Sequence, residues 1–483
     1  MADTTPAALY TLLLCLAGGV IVLLKLTKAV LSRRGGDLNL PPGPWPLPVI
    51  GNMHSLLGAL PHHAMRGLAR RYGAVMLLRL GHVPTVVVSS PEAARENIAF
   101  APSGSRHWKE LRRLCATELL SPKRVLSFRP IREEAAASLV RSVAAASPAP
   151  VNLSEGIKVL MNDILMRCAV GDTCPMRNEY MAGLDEVLKL LAGFNLVDLF
   201  PTSRLARTLG AGSLRAAREV HDRIHGIVQA IIQDHASNGG GGRRDDVLDV
   251  LLRLHRDGGL DTVLTPHHTI VCAVLFDVFA AGSETTATTT IWVMSELVRN
   301  PAAMRRAQSE VRQVLEGKTK VAEADIQGKL PYLQMVIKET LRMHPPLPLI
   351  LPRSCAEPIK LMGYDIPKGT TMFVNAWAIG RDDKSWPNAN EFKPERFEDG
   401  VIDFSGADFK FIPGGGGRRM CPGLMFGFAN VETALASLLY HFDWKLPNGA
   451  NPGDLDITES YGITARRKTE LLLEATPFIS ANQ

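Results

Sequence analysis

Phe409-Lys410-Phe411-Ile412-Pro413-Gly414-Gly415-Gly416-Gly417-Arg418-Arg419-Met420-Cys421-Pro422-Gly423 is the stretch on which the reading of this chain turns. Four consecutive glycines, Gly414 to Gly417, keep it out of regular structure and let its backbone approach a large flat surface closely. One thiol, Cys421, lies near its end, and Arg418 and Arg419 place fixed positive charge just before it. Pro422 stands where a helix can begin, and Leu424, Met425, Phe426, Phe428 and Val431 follow as an apolar run. Amide groups at a helix start favour a thiolate over a thiol.

Three simpler roles fit these residues less well. A phosphate cradle needs Gly-Lys followed by Ser or Thr, which is missing. A zinc site needs further Cys or His at short spacing, and Cys421 stands alone. A flexible linker explains the glycines but not Arg419, Cys421 and Gly423 at fixed offsets. A single soft anionic ligand beside arginines able to hold propionates describes an axial thiolate on haem iron. The stretch resembles the haem loop of cytochromes P-450, F-x-x-G-x-R-x-C-x-G, which Gly417, Arg419, Cys421 and Gly423 match. Gly414 stands where that family has Phe. The aromatic covers the thiolate side of the haem, so its loss predicts altered shielding and redox tuning.

The chain has 483 residues, 46% hydrophobic and 21% charged, as expected of a core-forming globular protein. A net charge of +6 suits an acidic partner or an anionic membrane surface, not nucleic acid. The seven cysteines are scattered and odd in number, which argues for a reducing compartment over a disulfide framework. Ala7 to Leu24 carries no charge and, at about 1.5 Å per residue, reaches roughly 27 Å, the thickness of an endoplasmic reticulum bilayer core. Lys25, Lys28, Arg33 and Arg34 follow it, which places the N-terminus in the lumen and the rest in the cytosol. A cleaved signal peptide would carry its positive flank on the other side. The expected organisation is an anchor with a basic flank at 1–34, a Gly/Pro-rich hinge at 35–52 and a catalytic domain at 53–483. Pro41-Pro42-Gly43-Pro44-Trp45-Pro46-Leu47-Pro48 stiffens the hinge and resembles that of microsomal P-450s.

Val75–Leu80 and Thr85–Ser89 read as a hairpin around Gly81 to Pro84, and Pro91–Glu96 as a helix start. The family has a couple of dozen further residues near 96–97, part of the roof over the haem. Their absence here reads as a real deletion or as a faulty gene model, and either bears on the substrate roof. Trp108 and Arg112, the family's W-x-x-x-R, sit four apart on one helix face, where the resemblance has them hold a haem propionate. Lys109, Arg113, Lys123 and Arg124 make this side basic. Ile131 to about His235 reads as helical, and Asn238 to Asp246 as a surface loop.

Thr265-Pro266 reads as the start of a helix that runs to about Leu297, near 50 Å long. At its middle, Gly282 beside Glu284, Thr285 and Thr286 predicts a locally opened helix with room for a small ligand. Ala281 to Thr286 also matches the family's A-G-x-[DE]-T-[TS], which implies that Thr285 and Glu284 relay protons to bound dioxygen. Tyr332–His344 reads as another helix. Glu339 and Arg342 in it, with Arg396 in Pro394-Glu395-Arg396-Phe397, resemble the family's buried network behind the haem loop. Arg353 is placed by the resemblance at the other propionate. Ala281, Leu349, Ile350 and Ile463 are the expected pocket residues.

The expectation is a mainly α chain with small β-sheets, the P-450 fold, and one N-terminal transmembrane helix. It binds haem b and sits single-pass in the endoplasmic reticulum membrane. The expected activity inserts one oxygen atom of O2 into a small apolar substrate, with electrons from NADPH arriving through NADPH-cytochrome P-450 reductase. It looks closest to plant microsomal members of specialised metabolism. Two alternatives stay open: an impaired member, because of Gly414 and the missing roof segment, and a haem-thiolate isomerase or dehydratase.

Overall fold

The computed structural model describes residues 38–98, 106–172, 174, 176–191, 195–237, 246–256, 267–460 and 462–478. The expected anchor, the 238–245 loop and most of the joint after residue 98 lie outside them. Among the described residues no helix is long and apolar enough to cross a membrane.

Helix accounts for 57% and strand for 10%, so the chain is mainly α with small sheets. The N-terminal part gives α1 (Pro61–Tyr72), β1 (Val75–Leu80), β2 (Val83–Val88), α2 (Pro91–Ile98) and α3 (Arg106–Leu114). The middle gives α4 (Arg129–Ala146), β3 (Val151–Asn152), α5 (Leu153–Val170), α6 (Arg177–Leu191), α7 (Ala211–Ser237), α8 (Val247–Arg256) and α9 (His267–Arg299). Then come α10 (Pro301–Val314), α11 (Pro331–Met343), β4 (Arg353–Ser354), β5 (Ile359–Leu361), β6 (Tyr364–Ile366) and β7 (Thr371–Val374). The chain closes with α12 (Leu424–His441), β8 (Phe442–Lys445) and β9 (Leu472–Pro477).

The β1–β2 hairpin is antiparallel, and β2 then pairs in parallel with β7, Thr85 opposite Thr371. β4 completes that four-stranded sheet, β3, β9 and β8 form a second, and β5–β6 a third. The 33 residues of α9 span about 50 Å, enough to thread the whole helical layer. Leu275, Phe279, Val293, Met294 and Leu297 of α9 are buried in the main core. α9 stops where Pro301 opens α10, and the Asn300 side chain donates to the Glu296 carbonyl at 2.8 Å. Gly282 does not open the helix. α9 runs through it, and a Cβ there would sit 2.9 Å from Leu165 Cδ1, so the glycine lets α5 close in.

One buried ionic cluster organises the C-terminal half. Glu339 and Arg342, one turn apart on α11, are 0% and 1% exposed. Arg342 donates Nε to Glu339 Oε2 at 2.7 Å and Nη2 to Oε1 at 2.8 Å. Arg396 adds an Nε bond to Glu339 Oε1 at 3.2 Å, and the Lys393 amide another at 2.8 Å. The spare guanidinium groups reach the carbonyls of Gly380, Ala389, Pro387 and Asn388. Phe397, beside Arg396, packs its ring 5.1 Å from that of Phe411, which carries the order into the glycine stretch.

A second polar cluster joins the two ends of the chain. Buried His62 of α1 bonds Glu459 Oε2 at 2.7 Å, and the Trp377 indole donates to Oε1 at 3.2 Å. Burial would raise Glu459, but contacts from His344, His62 and His63 outweigh it and hold the carboxyl well below the usual range. Burial lowers His62 below the ordinary imidazole value, although the Glu459 bond pulls the other way.

Two outcomes follow from these clusters. Removing one member of a buried charge network costs about 3–5 kcal/mol. Glu339→Gln is therefore expected to lower the urea midpoint sharply or abolish soluble protein, while Lys360→Gln, at an exposed pair, leaves the midpoint unchanged. For His62 the folded pKa lies below the unfolded value of 6.5. The stability it supplies is present above that pH and is lost as pH falls below it. His62→Gln should flatten that part of the melting-temperature profile between about pH 7 and 5.5, checked by calorimetry against wild type.

Candidate active site

The glycine stretch is a tight loop closed by its own backbone. The Gly415 amide donates to Ile412 O at 3.0 Å, Met420 to Gly417 O at 3.1 Å, and Cys421 to Gly414 O at 2.8 Å. Gly415 and Gly417 have φ of 75° and 64°, a left-handed backbone that explains why glycine stands at both. Phe411 and Ile412 are buried and anchor the entrance. The helix after the loop starts at Leu424, with Gly423 as its cap, two residues later than Pro422 suggested. α12 then lies against α9: a Cβ on Gly427 would come 3.1 Å from Thr286 Cγ2. That contact brings the Cys421 loop and the Ala281–Thr286 turn of α9 to the same region.

Cys421 is exposed on one side of the loop. Protein surrounds it otherwise, and this burial pushes its thiol up, opposed by the Gly423 backbone and the Arg112 guanidinium. Arg112 of α3 thus reaches the loop across a separation of some three hundred residues. The Arg419 guanidinium lies over the Trp108 ring, 4.2 Å from its centroid. Arg353 of β4 is half-buried, and burial first, then the charge of Arg419, lowers its pKa. Among the described residues no carboxylate pairs with Arg353 or Arg419. Half-buried Arg353 and exposed Arg419 act on each other as like charges, which suits an anion supplied from outside. A loop with a one-sided thiol, backbone-accessible glycines and a flanking arginine pair fits a flat dianionic metal macrocycle with a soft axial ligand.

On α9, Thr285 donates Oγ1 to Ala281 O at 2.7 Å and Thr286 to Gly282 O at 2.6 Å. Such back-bonds bend a helix locally without breaking it. The Glu284 carboxylate does not stand free. Its Oε1 pairs with Arg466 Nε and accepts from Thr288 Oγ1 at 3.1 Å and Thr464 Oγ1 at 3.3 Å. Thr464 belongs to the turn around Ile463 that the resemblance places at the substrate, but its bond to Glu284, and Arg466 altogether, were not expected. Nothing local marks these contacts, which span some 180 residues.

The expected pocket residues are not gathered into one wall. Ala281 is exposed on α9, and Ile463 is half-buried beside Thr464 at the rim of the main core. Ile350, with φ of 50°, packs towards the sheet and lies 3.9 Å from the Cβ position of Gly415. Leu349 instead joins the cluster around Met65, Leu199 and Phe200. Beside the thiol, the place the sequence comparison assigns to an aromatic is bordered by Leu424. A Cβ on Gly414 would meet its two methyls at 3.2 and 3.3 Å and Cys421 Cβ at 3.4 Å.

Comparison with known proteins agrees with this geometry. The family model for Cytochrome P450 matches residues 41–99 and 95–473, in two pieces that meet at 95–99. Zealexin A1 synthase of Zea mays is 44% identical, covering 95% of this chain and 96% of its own. Premnaspirodiene oxygenase of Hyoscyamus muticus is 42% identical over 91% of this chain and 93% of its own. Ent-cassadiene hydroxylase of Oryza sativa subsp. japonica is 45% identical, with 95% and 96% covered. With a family match across nearly the whole chain and named hydroxylases and oxygenases at this identity, the chain belongs to the cytochrome P450 family, as an oxygen-incorporating oxidoreductase of the plant specialised-metabolism kind.

Proposed function

We propose that this protein is a haem-thiolate monooxygenase that inserts one oxygen atom of O2 into a small terpenoid hydrocarbon. The observation that carries the reading is the Cys421 loop with Arg112, Arg353, Arg419 and Trp108 around it and, among the described residues, no acid paired with Arg353 or Arg419. The terpenoid class rests on the relatives, whose names specify premnaspirodiene and ent-cassadiene.

Bound haem supplies the reductive activation of dioxygen; the remaining work falls to side chains of this chain. Cys421 Sγ would be the thiolate that holds the iron and would supply electron density to it. Trp108, Arg112, Arg353 and Arg419 would hold the carboxylate arms of the group. Gly417 and Gly423 would let backbone approach it closely. Thr285 Oγ1 would hold a proton, and Glu284 would resupply it from the direction of solvent. Ala281, Ile350 and Ile463 would each present an apolar surface to the hydrocarbon, whereas Leu349 packs in the cluster around Met65. Exposed Lys109, Arg113 and Lys123 suit docking of an acidic NADPH-dependent reductase. The residues ahead of the hinge would hold the enzyme on the endoplasmic reticulum with this domain in the cytosol.

Gly414 does not leave the sulfur bare in this reading. The Leu424 methyls border the space where the family keeps its aromatic, so an aliphatic side chain does the shielding. The two-piece family match at 95–99 is consistent with a shortened segment at that point.

Cys421→Ser is expected to abolish the thiolate-type carbon monoxide band of the reduced protein; retention of that band and of turnover would overturn the assignment. Wild-type protein lacking that band would instead mark an impaired family member. Gly414→Phe overpacks against Leu424 and should cost roughly 1–3 kcal/mol in urea unfolding, with most of it recovered by adding Leu424→Ala. Leu424→Ala alone should raise the fraction of the reduced carbon monoxide complex that absorbs in the thiol form.

A further inference from the structure

Away from the thiol loop, His62, His63 and Glu459 have the composition of a metal centre. The two histidines stand in the first turn of α1, and Glu459 reaches them from near the C-terminus. Adjacent residues on a helix diverge by about 100°. Here the rings nonetheless converge, at 81° to each other with centroids 4.4 Å apart. Glu459 Oε2 lies 2.7 Å from His62 Nε2 and 3.2 Å from His63 Nε2. The His62 contact is a hydrogen bond. The His63 contact is not: its Nε2 is buried and has no hydrogen-bond partner among the described residues. His344 Nδ1 is a second such atom, 3.7 Å from Glu459 Oε1 on a side chain only 3% exposed. Buried polar atoms normally find partners, so two unbonded nitrogens around one carboxylate point to a ligand there.

We infer that His62 Nε2, His63 Nε2 and Glu459 Oε2 bind one zinc-class divalent ion, with water as its fourth ligand. Two imidazoles and a carboxylate suit zinc better than magnesium or calcium, which take more oxygens. Tetrahedral zinc with bonds of about 2.0–2.1 Å sets its donors about 3.3 Å apart. The His63–Glu459 spacing already meets this, and His62 has to back off by about half an ångström. Both rings bind through Nε2 and keep their proton on Nδ1. The other carboxylate oxygen is oriented by Trp377, whose Nε1 donates to Oε1 at 3.2 Å, and it faces His344 Nδ1. The buried Arg381 guanidinium opposes a further cation, and Glu296 offsets it. His63 is 39% exposed, against 6% for His62 and 5% for Glu459, so the ion enters and keeps its water on the His63 side. The frame stands without it: Asn375 Nδ2 donates to His62 O at 2.9 Å, and Arg66 Nη2 to Arg381 O at 2.8 Å. A bound ion then ties α1 to the segment whose Ala465 carbonyl accepts from Trp292 on α9. Haem chemistry plays no part in this, so the inference stands apart from the proposed reaction.

The test uses the full-length haem-loaded protein, free of any affinity tag and stripped with a chelator, with zinc sulfate as probe and magnesium sulfate as control. Binding is followed by calorimetric titration and thermal midpoint, the ligands by X-ray absorption at the zinc edge, and the place by mass-spectrometric mapping of carbethoxylated histidines. One zinc per chain is expected, with a raised midpoint that magnesium does not give and nitrogen and oxygen neighbours at about 2.0–2.1 Å. Zinc should slow carbethoxylation of His63 about tenfold or more. H63F keeps a ring against Trp377, 4.2 Å away, and should weaken zinc binding about tenfold or more. H235N, in the other group formed by His235, Asp246 and Asp249, should leave binding unchanged. The inference is overturned if zinc does not bind, if H63F binds it as wild type does, or if H235N loses it while His63 is modified equally fast with and without zinc. Should H63F fail to fold, the wild-type mapping decides: a His63 that zinc does not protect overturns the inference.

Discussion

A carboxylate with no access to water governs this fold. Glu339 is completely enclosed, and an isolated charge there would be prohibitive, so both its oxygens accept hydrogen bonds, Oε2 from Arg342 and Oε1 from Arg342, Arg396 and the Lys393 amide. The same guanidinium groups satisfy carbonyls of residues 380–391 that have no strand or helix to pair with. An irregular stretch is thereby given one conformation. Phe397 then packs on Phe411, and the glycine loop inherits a rigid floor. The loop itself is too glycine-rich to hold a shape unaided, which is why the ionic cluster behind it matters for the thiol in front.

The helical layer sets the other side. α9 is drawn close on two faces by absent side chains, at Gly282 towards α5 and across from Gly427 of α12. Close approach places Thr285 and Glu284 within one helical turn of the α12 contact, near the start of the helix that carries the thiol loop. The back-bonded threonines leave α9 continuous, so the polar residues at its middle cost no break in the core around them.

Much of this was readable from the chain because it is local. The thiol loop announces itself within a few residues, α9 shows as an apolar run between Thr265-Pro266 and Asn300-Pro301, and the Ala281–Thr286 and Glu339–Arg342 motifs gain meaning from their resemblance to the family's patterns. What stayed hidden depends on distant partners. Nothing in Arg466 indicates that it meets Glu284, nor in His62 that it meets Glu459 across 397 positions. Gly282 misled for the opposite reason. A glycine beside polar residues looks like a weakened helix, whereas here the neighbouring Leu165 fills the space. Leu424 beside Gly414 could not be foreseen either, because the compensation lies in rotamer and packing, not in residue type.

The parallel pairing of β2 with β7 carries a cost in time. Thr85 meets Thr371 only after most of the polypeptide has left the ribosome, so the β1–β2 hairpin must wait through synthesis with one edge unpaired. Val86, Val87 and Val88 on that edge make it sticky while it waits. Overproduction of this chain should therefore reward slow synthesis and abundant chaperone, because the vulnerable species is a nascent one and not the finished fold.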